Sequence, residues 1–535
     1  MATMTELLWP WCLGIGWLLS FAAEALLHPR PKLPGRSLWT YLLHSGLWLL
    51  IFTIFLLIVQ RPIFAMLAGL GIWLAVVLVG NAKEASLREP FVFMDFEYFT
   101  DAIKHPRLYL PFLGLWRAIA LGIIAIAVIG TALWAETPLT AQMPWLVFLK
   151  YNALSLFAAA CLLWIGDRWS DAPSLQPDKD IRDMGFAPSL WLYGWAERAP
   201  VQVPAARPFG PWSEPQPIIP SPNPNITETP SHTESTGHLV IVQSESFFDA
   251  RRLWPHIAPE VFRDFDAARR QCVQSGQIRV PPWGANTIRT EFSLLTGWSP
   301  AALGIHQFQP YRFLARRPLP SIAWRLKAQG YRTICIHPYP SSFYARNTIY
   351  PLLGFDDFLD VAEFTPEDRS GPYTGDRAVA DKTLQILQGV TQPTFIFIIT
   401  MENHGPLHLE SVSAAEKKTL LLQKPSVSAD DLAIYLRHVR NAGAMLQQFM
   451  TELPRLSLPS VLGFYGDHVP IMEKLYEARH FEDGRTDYWL WSSRHPAPSS
   501  PQQPEIAVEE LGVHALALIS CEIEIQRYNG YRELE

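Results

Sequence analysis

Four apolar runs in this chain each give way to residues that do not belong in a core. Residues 239–244 (LVIVQS) are followed by Glu245, and residues 332–336 (RTICI) by His337. Residues 394–400 (TFIFIIT) lead into Glu402, Asn403 and His404, and residues 460–466 (SVLGFYG) into Asp467 and His468. One such ending would be a helix cap or an edge histidine; four together point to one polar site. Two carboxylates and an imidazole make a hard, mixed oxygen and nitrogen donor set, suited to Zn²⁺, Mn²⁺ or Mg²⁺. An ion held that way can polarise a phosphoryl oxygen and lower the pKa of a bound hydroxyl.

Such a site needs a nucleophile, and PPWGANTIRTEFSLLTG (281–297) offers one. Gly284 and Ala285 allow close backbone approach. Asn286 or Thr287 reads as an N-cap, and Ile288–Thr296 as a short helix closed by Gly297. A helix N-terminus gathers unpaired amide donors and the positive end of the dipole, so it binds phosphate well. Thr287 would hold its hydroxyl there, and its attack on phosphorus would form a phospho-threonine. Thr290, one turn on, is the competing nucleophile but lies inside the helix.

The elements that must position these groups read as an α/β fold. The four runs are short, apolar on both faces and rich in β-branched or aromatic residues, as parallel strands covered on both sides are. Helix candidates lie between them at Ser321–Gln329, Arg377–Gln388 and Asp430–Leu453, with Asp376 as a cap. In such sheets ligands gather outside the carboxyl ends of the strands. The five cysteines are sparse and unpatterned, which suggests neither a disulfide scaffold nor a zinc-thiolate site, and Cys335 reads as a core residue. A net charge of −6 gives no reason to expect nucleic acid as a partner.

The first third is different. Five segments are long and apolar enough to span a bilayer: Leu7–Leu27, Leu38–Val59, Ile63–Gly80, Phe112–Trp134 and Trp145–Gly166. No cleavable signal peptide is evident, so the first span is expected to stay as an anchor. Between the third and fourth spans, Phe91, Phe93, Phe96, Tyr98 and Phe99 alternate with acids, a composition suited to the headgroup layer. A proline-rich stretch follows the last span and reads as a linker, with Leu190–Trp195 as a piece that lies on the membrane. The expected layout is a membrane domain over 1–166, a linker over 167–237 and a catalytic domain over 238–535. Loop Lys and Arg residues (Arg30, Lys32, Arg36; Lys83, Arg88, Lys104, Arg107) would place that domain in the cytoplasm.

These residues together resemble the lipoteichoic acid synthase family of membrane phosphoglycerol transferases, within the sulfatase and alkaline phosphatase superfamily. QSESF resembles the family's first metal segment, with Glu245 as ligand; GANTIRTEF looks like its nucleophile segment, with Thr287 as nucleophile; FYGDH looks like its second metal segment, with Asp467 and His468. TMENHGP resembles the segment that carries a substrate-site histidine, here His404, beside Asn403. His337, Tyr344 and Arg346 fall where headgroup contacts are expected. Tyr344 stands where Gram-positive members carry Trp, the proline-rich linker is not typical, and NAKEASLREPF is similar to a segment of broader members. GANTIRT lacks the C/S-x-P-x-R motif of sulfatases proper, which argues against sulfate ester hydrolysis.

The resemblance implies a multi-span α-helical membrane domain followed by an α/β sulfatase-like domain with a mostly parallel sheet. It implies an outward-facing catalytic domain on the bacterial inner membrane, and that expectation outweighs the loop charges. It also implies one divalent ion, Mn²⁺ first with Zn²⁺ or Mg²⁺ as alternatives, held by Glu245, Thr287, Asp467 and His468. The expected reaction moves phosphoglycerol from phosphatidylglycerol, through Thr287, to a hydroxyl of a glycan or glycolipid. His404 is the expected proton donor, with His337 second, and Arg346 is a fork for phosphate or headgroup oxygens. Three alternatives stand beside it: a phosphoethanolamine donor, water as acceptor (a membrane-anchored hydrolase), and a non-catalytic scaffold.

Overall fold

The computed structural model describes residues 4–97, 123, 127–131, 133–212, 237–495, 497–498 and 503–519. The chain divides into two compact units, Met1–Pro200 and Val201–Glu535.

The first unit is helical. Its long helices are Met4–Glu24, Leu38–Val59, Pro62–Leu87 and Trp145–Arg168. Among the described residues, the last three are long and apolar enough to cross a membrane. They coincide with the expected second, third and fifth spans. The first helix ends at Glu24, three residues before the expected end. Most of the expected fourth span, 112–134, lies outside the described residues, as do Tyr98 and Phe99.

Several polar groups of the first two helices are paired inside the protein, which lowers their cost in a lipid setting. The buried Glu24 carboxylate takes Arg36 Nη1 at 2.8 Å and the Ala187 N–H at 3.1 Å. His44 Nδ1 lies 3.3 Å from Glu24 Oε1, the oxygen that takes the Ala187 N–H, and its Nε2 lies 2.7 Å from the Ser20 hydroxyl.

The expected linker begins with two helices, Pro177–Met184 and Phe186–Glu197. Pro177 at the first helical position and Asp178 and Asp180 in the first turn are strong start signals. Leu190–Trp195 therefore belongs to a helix that buries Phe186, Ala187, Leu192 and Tyr193. The proline-rich part after it, 201–212, has no regular element. The sequon at Asn225 lies outside the described residues.

The second unit is built on an eight-stranded sheet. Its strands are β1 (His238–Ser244), β2 (Gln274–Arg279), β3 (Arg332–Ile336), β4 (Asp357–Leu359), β7 (Thr394–Ile399), β8 (Ser460–Gly466), β9 (Thr486–Ser492) and β10 (Ile506–Ala507). A separate hairpin pairs β5 (Arg369–Ser370) with β6 (Tyr373–Thr374). The order in the sheet is β10-β2-β9-β8-β1-β7-β3-β4. All pairings are parallel except the two that β9 makes. The four strands read from the sequence are the central ones.

Alternation along these strands feeds two cores. Val240, Val242, Ile396, Ile398, Leu462 and Phe464 face one way, onto the helices Asp376–Gln388 and Ala429–Glu452. Leu239, Ile241, Phe395, Phe397, Val461 and Tyr465 face the other, with the helices Thr287–Thr296 and Val508–Ile519. Cys335 is a buried free thiol of the second core, as its alternation suggested.

Because β1 and β8 are in register, with Ser244 opposite Gly466, their next residues emerge together. The closeness requires Gly466, since a Cβ there would lie 1.8 Å from the Phe247 carbonyl oxygen. The turn after β1 is pinned by Tyr435. Its fully buried hydroxyl accepts the Phe248 N–H at 3.1 Å and donates to the Ser246 carbonyl at 3.1 Å. Replacing Tyr435 with Phe strands a buried N–H. We expect a loss of about 1–3 kcal/mol, read as a lower denaturation midpoint of this unit within the full chain.

Candidate metal and phosphoryl-transfer site

Glu245 follows β1, and its N–H is fixed by the Thr400 hydroxyl at 3.0 Å. Ser246 takes the left-handed conformation (φ 52°), gives its N–H to Asp467 Oδ1 at 2.8 Å and its hydroxyl to Glu245 Oε1 at 2.7 Å. This one turn residue therefore binds both acids. Asp467 and His468 follow β8. His468 Nδ1 donates to the Val469 carbonyl at 3.1 Å, so Nε2 keeps its lone pair. That nitrogen lies 3.3 Å from Asp467 Oδ2 and 3.7 Å from Glu245 Oε1.

Ligand atoms of Glu245, Asp467 and His468 lie within 4.8 Å of one another, and all three residues are buried. Asp467 Oδ2 is buried without a hydrogen-bond partner. Burial first, and the neighbouring Asp467 second, push the Glu245 carboxyl up to about 8. Burial also raises Asp467, against the pull of His468. Two buried acids with an orphaned oxygen and an imidazole lone pair fit a divalent cation.

Thr287 begins the helix Thr287–Thr296, with Asn286 as its N-cap in the left-handed region (φ 67°) and Gly297 as its C-cap. Both ends match the sequence reading. The Thr287 side chain is half-buried and stands near enough to the Asp467 carboxylate to favour its charged form. Thr290 is fully buried and donates to the Asp467 carbonyl at 2.8 Å. It pins the helix to the end of β8, whereas Thr287 presents a hydroxyl at the helix start.

The remaining expected residues divide. Asn403 is buried, and its Oδ1 has no partner. His404 is half-buried, its Nδ1 bonded to the Gly405 carbonyl at 2.6 Å. Among the described residues nothing bonds its Nε2. Burial holds its pKa below the ordinary imidazole value. Tyr344 is half-buried, with the Arg346 guanidinium 5.2 Å from its ring centre.

Arg346 is differently engaged from the expected phosphate fork. Its Nε and Nη2 grip the buried Glu291 carboxylate at 3.1 and 3.0 Å, a bidentate pair. Nη1 lies 3.2 Å from His337 Nε2. His337 Nδ1 faces the Ile399 carbonyl at 3.1 Å, so that nitrogen carries the proton and Nε2 accepts from arginine. Burial first, and the Arg346 charge second, hold His337 well below the ordinary range. Its expected service as a second proton donor is therefore corrected: the ring is neutral and has no proton to give from Nε2. Arg289 is buried over the Phe308 ring rather than in solvent. Glu402, read from the sequence as one of the strand-end acids, turns away into a separate network with His438.

Sequence reasoning missed Ser246, Glu291 and Tyr311, whose hydroxyl donates to Glu291. Ser246 stands inside QSESF and Glu291 inside GANTIRTEF, so the motifs held both without distinguishing a structural partner from a ligand. Tyr311 carries no local signal.

Metal binding must compete with protons on Glu245. Affinity for Mn²⁺ should therefore rise as pH increases through about 8 and fall as it decreases. At about 100-fold excess over Kd the ion should stabilise the second unit by about 2.7 kcal/mol. Calorimetric titration and thermal shift of the full chain check this, and Asp467→Asn should abolish the stabilisation.

The sulfatase family profile matches residues 238–519. A capsular polysaccharide biosynthesis protein, RkpI, of Rhizobium meliloti is 34% identical over 260 residues, 47% of this chain and 44% of that protein. Lipoteichoic acid synthase 1 of Bacillus subtilis is 29% identical over 149 residues, 27% of this chain and 22% of that protein. The chain thus spans less than half the length of these relatives. Among solved structures, the integral membrane lipooligosaccharide phosphoethanolamine transferase A of Neisseria meningitidis superposes with a TM-score of 0.52 at 14% identity, over 94% of this chain and 92% of that one. It shares the fold, an apolar helical part followed by the mixed sheet. The profile covers more than half of the sequence, and the resemblance read from QSESF, GANTIRTEF and FYGDH is borne out: the chain is a membrane protein that belongs to the sulfatase family.

Proposed function

We propose that this protein is a metal-dependent transferase that moves a phosphoglycerol headgroup from phosphatidylglycerol, through Thr287, to a hydroxyl of a cell-envelope glycan or glycolipid. One observation carries the reading: a helix-start threonine hydroxyl beside Asp467 of the buried Glu245–Asp467–His468 group. Glu245, Asp467, His468 and Thr287 would hold the ion, Mn²⁺ in the first place and Zn²⁺ or Mg²⁺ otherwise. The ion would supply charge neutralisation of the phosphoryl oxygens and a lower pKa for the threonine hydroxyl.

In the first half-reaction the Thr287 Oγ–P bond forms and the P–O bond to diacylglycerol breaks. Thr287 gives its proton to the free Nε2 of His404, which passes it to the departing alkoxide. In the second half the acceptor O–P bond forms, the acceptor proton goes to His404 Nε2, and the released Thr287 takes a proton back from that nitrogen. Free amides at the helix start stabilise the phosphate throughout.

The unpartnered Oδ1 of Asn403 can accept from a glycerol hydroxyl. It could equally accept from an ammonium, which is the observation behind a second reading, a phosphoethanolamine donor. The names of the Bacillus lipoteichoic acid synthase and the Rhizobium capsular polysaccharide protein support an envelope glycan as acceptor. With that acceptor, the catalytic unit stands on the periplasmic or extracellular side of the bacterial inner membrane.

The test is diacylglycerol release from each of the two lipids, with and without an added glycan acceptor. Release from phosphatidylglycerol, accelerated by the acceptor, is the expected result. Release that ignores the acceptor would indicate a hydrolase, and release only from phosphatidylethanolamine would change the donor.

Because its pKa is depressed, His404 stays neutral at pH 7 and can take the acceptor proton. Transfer to the acceptor should hold its rate as pH falls to the ordinary imidazole value and decline only below it. His404→Gln should remove that limb and slow transfer by about 10²–10⁴-fold, as read from a pH–rate profile.

A further inference from the structure

Outside the site lies a buried ion network that the proposed reaction does not use. His438, on the helix Ala429–Glu452, bridges two acids: Nδ1 lies 2.9 Å from Glu402 Oε1 and Nε2 lies 2.9 Å from Glu410 Oε1. Burial pulls its pKa down, but the two acids outweigh it and hold the imidazolium at about 9. Glu402 Oε1 also takes Asn441 Nδ2 at 2.5 Å and the Ser370 hydroxyl at 2.8 Å, and Oε2 takes the Asp376 N–H at 2.7 Å.

Ser370 lies in β5, and Asp376 follows β6. Glu402 therefore grips the hairpin of these strands on both sides. Glu410 lies against its tip: a Cβ on Gly371 (φ 72°) would lie 2.7 Å from Glu410 Oε2. What the hairpin carries is Tyr373, whose hydroxyl is 3.5 Å from His404 Nδ1 and whose ring meets the His404 ring edge-on at 5.5 Å. His404 itself follows Glu402 by two residues. One carboxylate thus holds both members of the pair.

We infer that Tyr373 is a positioning residue for His404, and that the Glu402–His438–Glu410 network is the clamp that keeps it in place. Nδ1 already donates to the Gly405 carbonyl, so the phenol oxygen is a second acceptor for the same N–H. The pair fixes the plane of the imidazole and leaves Nε2 as its working atom. Burial raises the Tyr373 pKa, so the phenol keeps its proton. The other charged or titratable groups that act on His404 are Arg346, Asp467 and His337. None of them lies on the hairpin.

This inference rests on the proton-transfer service proposed for His404, so its test has one arm that needs no substrate. The full chain is treated with diethyl pyrocarbonate across a range of pH, and carbethoxylation of His404 is followed by peptide mass spectrometry, with the exposed His480 as internal control. Removing the second acceptor in Tyr373→Phe should lower the His404 midpoint. Tyr373→Ala and His438→Gln should raise its reactivity at high pH, with His480 unchanged. Unaltered midpoint and reactivity in all three variants would overturn the inference.

The second arm is a double-mutant cycle on headgroup transfer. Tyr373→Phe alone should lower kcat by about 10-fold or more with KM for the lipid unchanged. Added to His404→Gln it should cost nothing further, because the two act through one group. An additive loss would overturn the inference. If the chain transfers no headgroup at all, the modification arm still decides the positioning claim, and the proposed function alone fails.

Discussion

Two carboxylates buried together without enough positive charge are the constraint on which the catalytic unit turns. Glu245 and Asp467 are forced together because β1 and β8 are parallel, adjacent and in register to their last residues. Left alone, such a pair resists ionisation, and its raised pKa values record that resistance. Several neighbours make sense only as means of holding the pair in place. Gly466 lacks the Cβ that would strike Phe247, Ser246 gives one bond to each acid, and Tyr435 fixes the turn from behind. A divalent cation supplies the charge that the protein withholds.

Two other buried charge clusters around the site are matched within the protein, which sharpens the contrast. Glu291 is matched by Arg346, and Arg346 in turn sets the tautomer of His337. Glu402 and Glu410 are matched by the His438 imidazolium. Three polar systems thus surround the strand ends, and among them the Glu245–Asp467–His468 group keeps an orphaned carboxylate oxygen. Breaking either matched system would leave an uncompensated buried charge, which is costly. These systems are therefore scaffolding, and the unmatched one is where a ligand gains most.

Much of this was legible from residue order. The four central strands could be read because apolar runs covered on both faces are a strong local pattern, and the residues after them were legible as a polar cluster. The helix at Thr287 showed through its cap residues and Gly297. What could not be read is which polar residue turns inward to the site and which turns to a partner. Glu402 stands two residues from His404 yet belongs to another network, because His438 and Asn441 reach it from a helix some forty residues away in sequence. Likewise Arg346 is claimed by Glu291, and sequence spacing carries no trace of that pairing. In the first unit, Pro177 and the acids after it open a helix where proline content alone suggested a linker.

The central claim concerns one oxygen atom, Thr287 Oγ. Its most direct test is to incubate the full chain with Mn²⁺ and a mixture of phosphatidylglycerol and phosphatidylethanolamine, quench quickly, and analyse the peptide that contains Thr287 by mass spectrometry. The account predicts a phosphoglycerol adduct on Thr287, lost in His468→Ala. Bound metal with no adduct on this threonine, or an adduct on Thr290 instead, would contradict it.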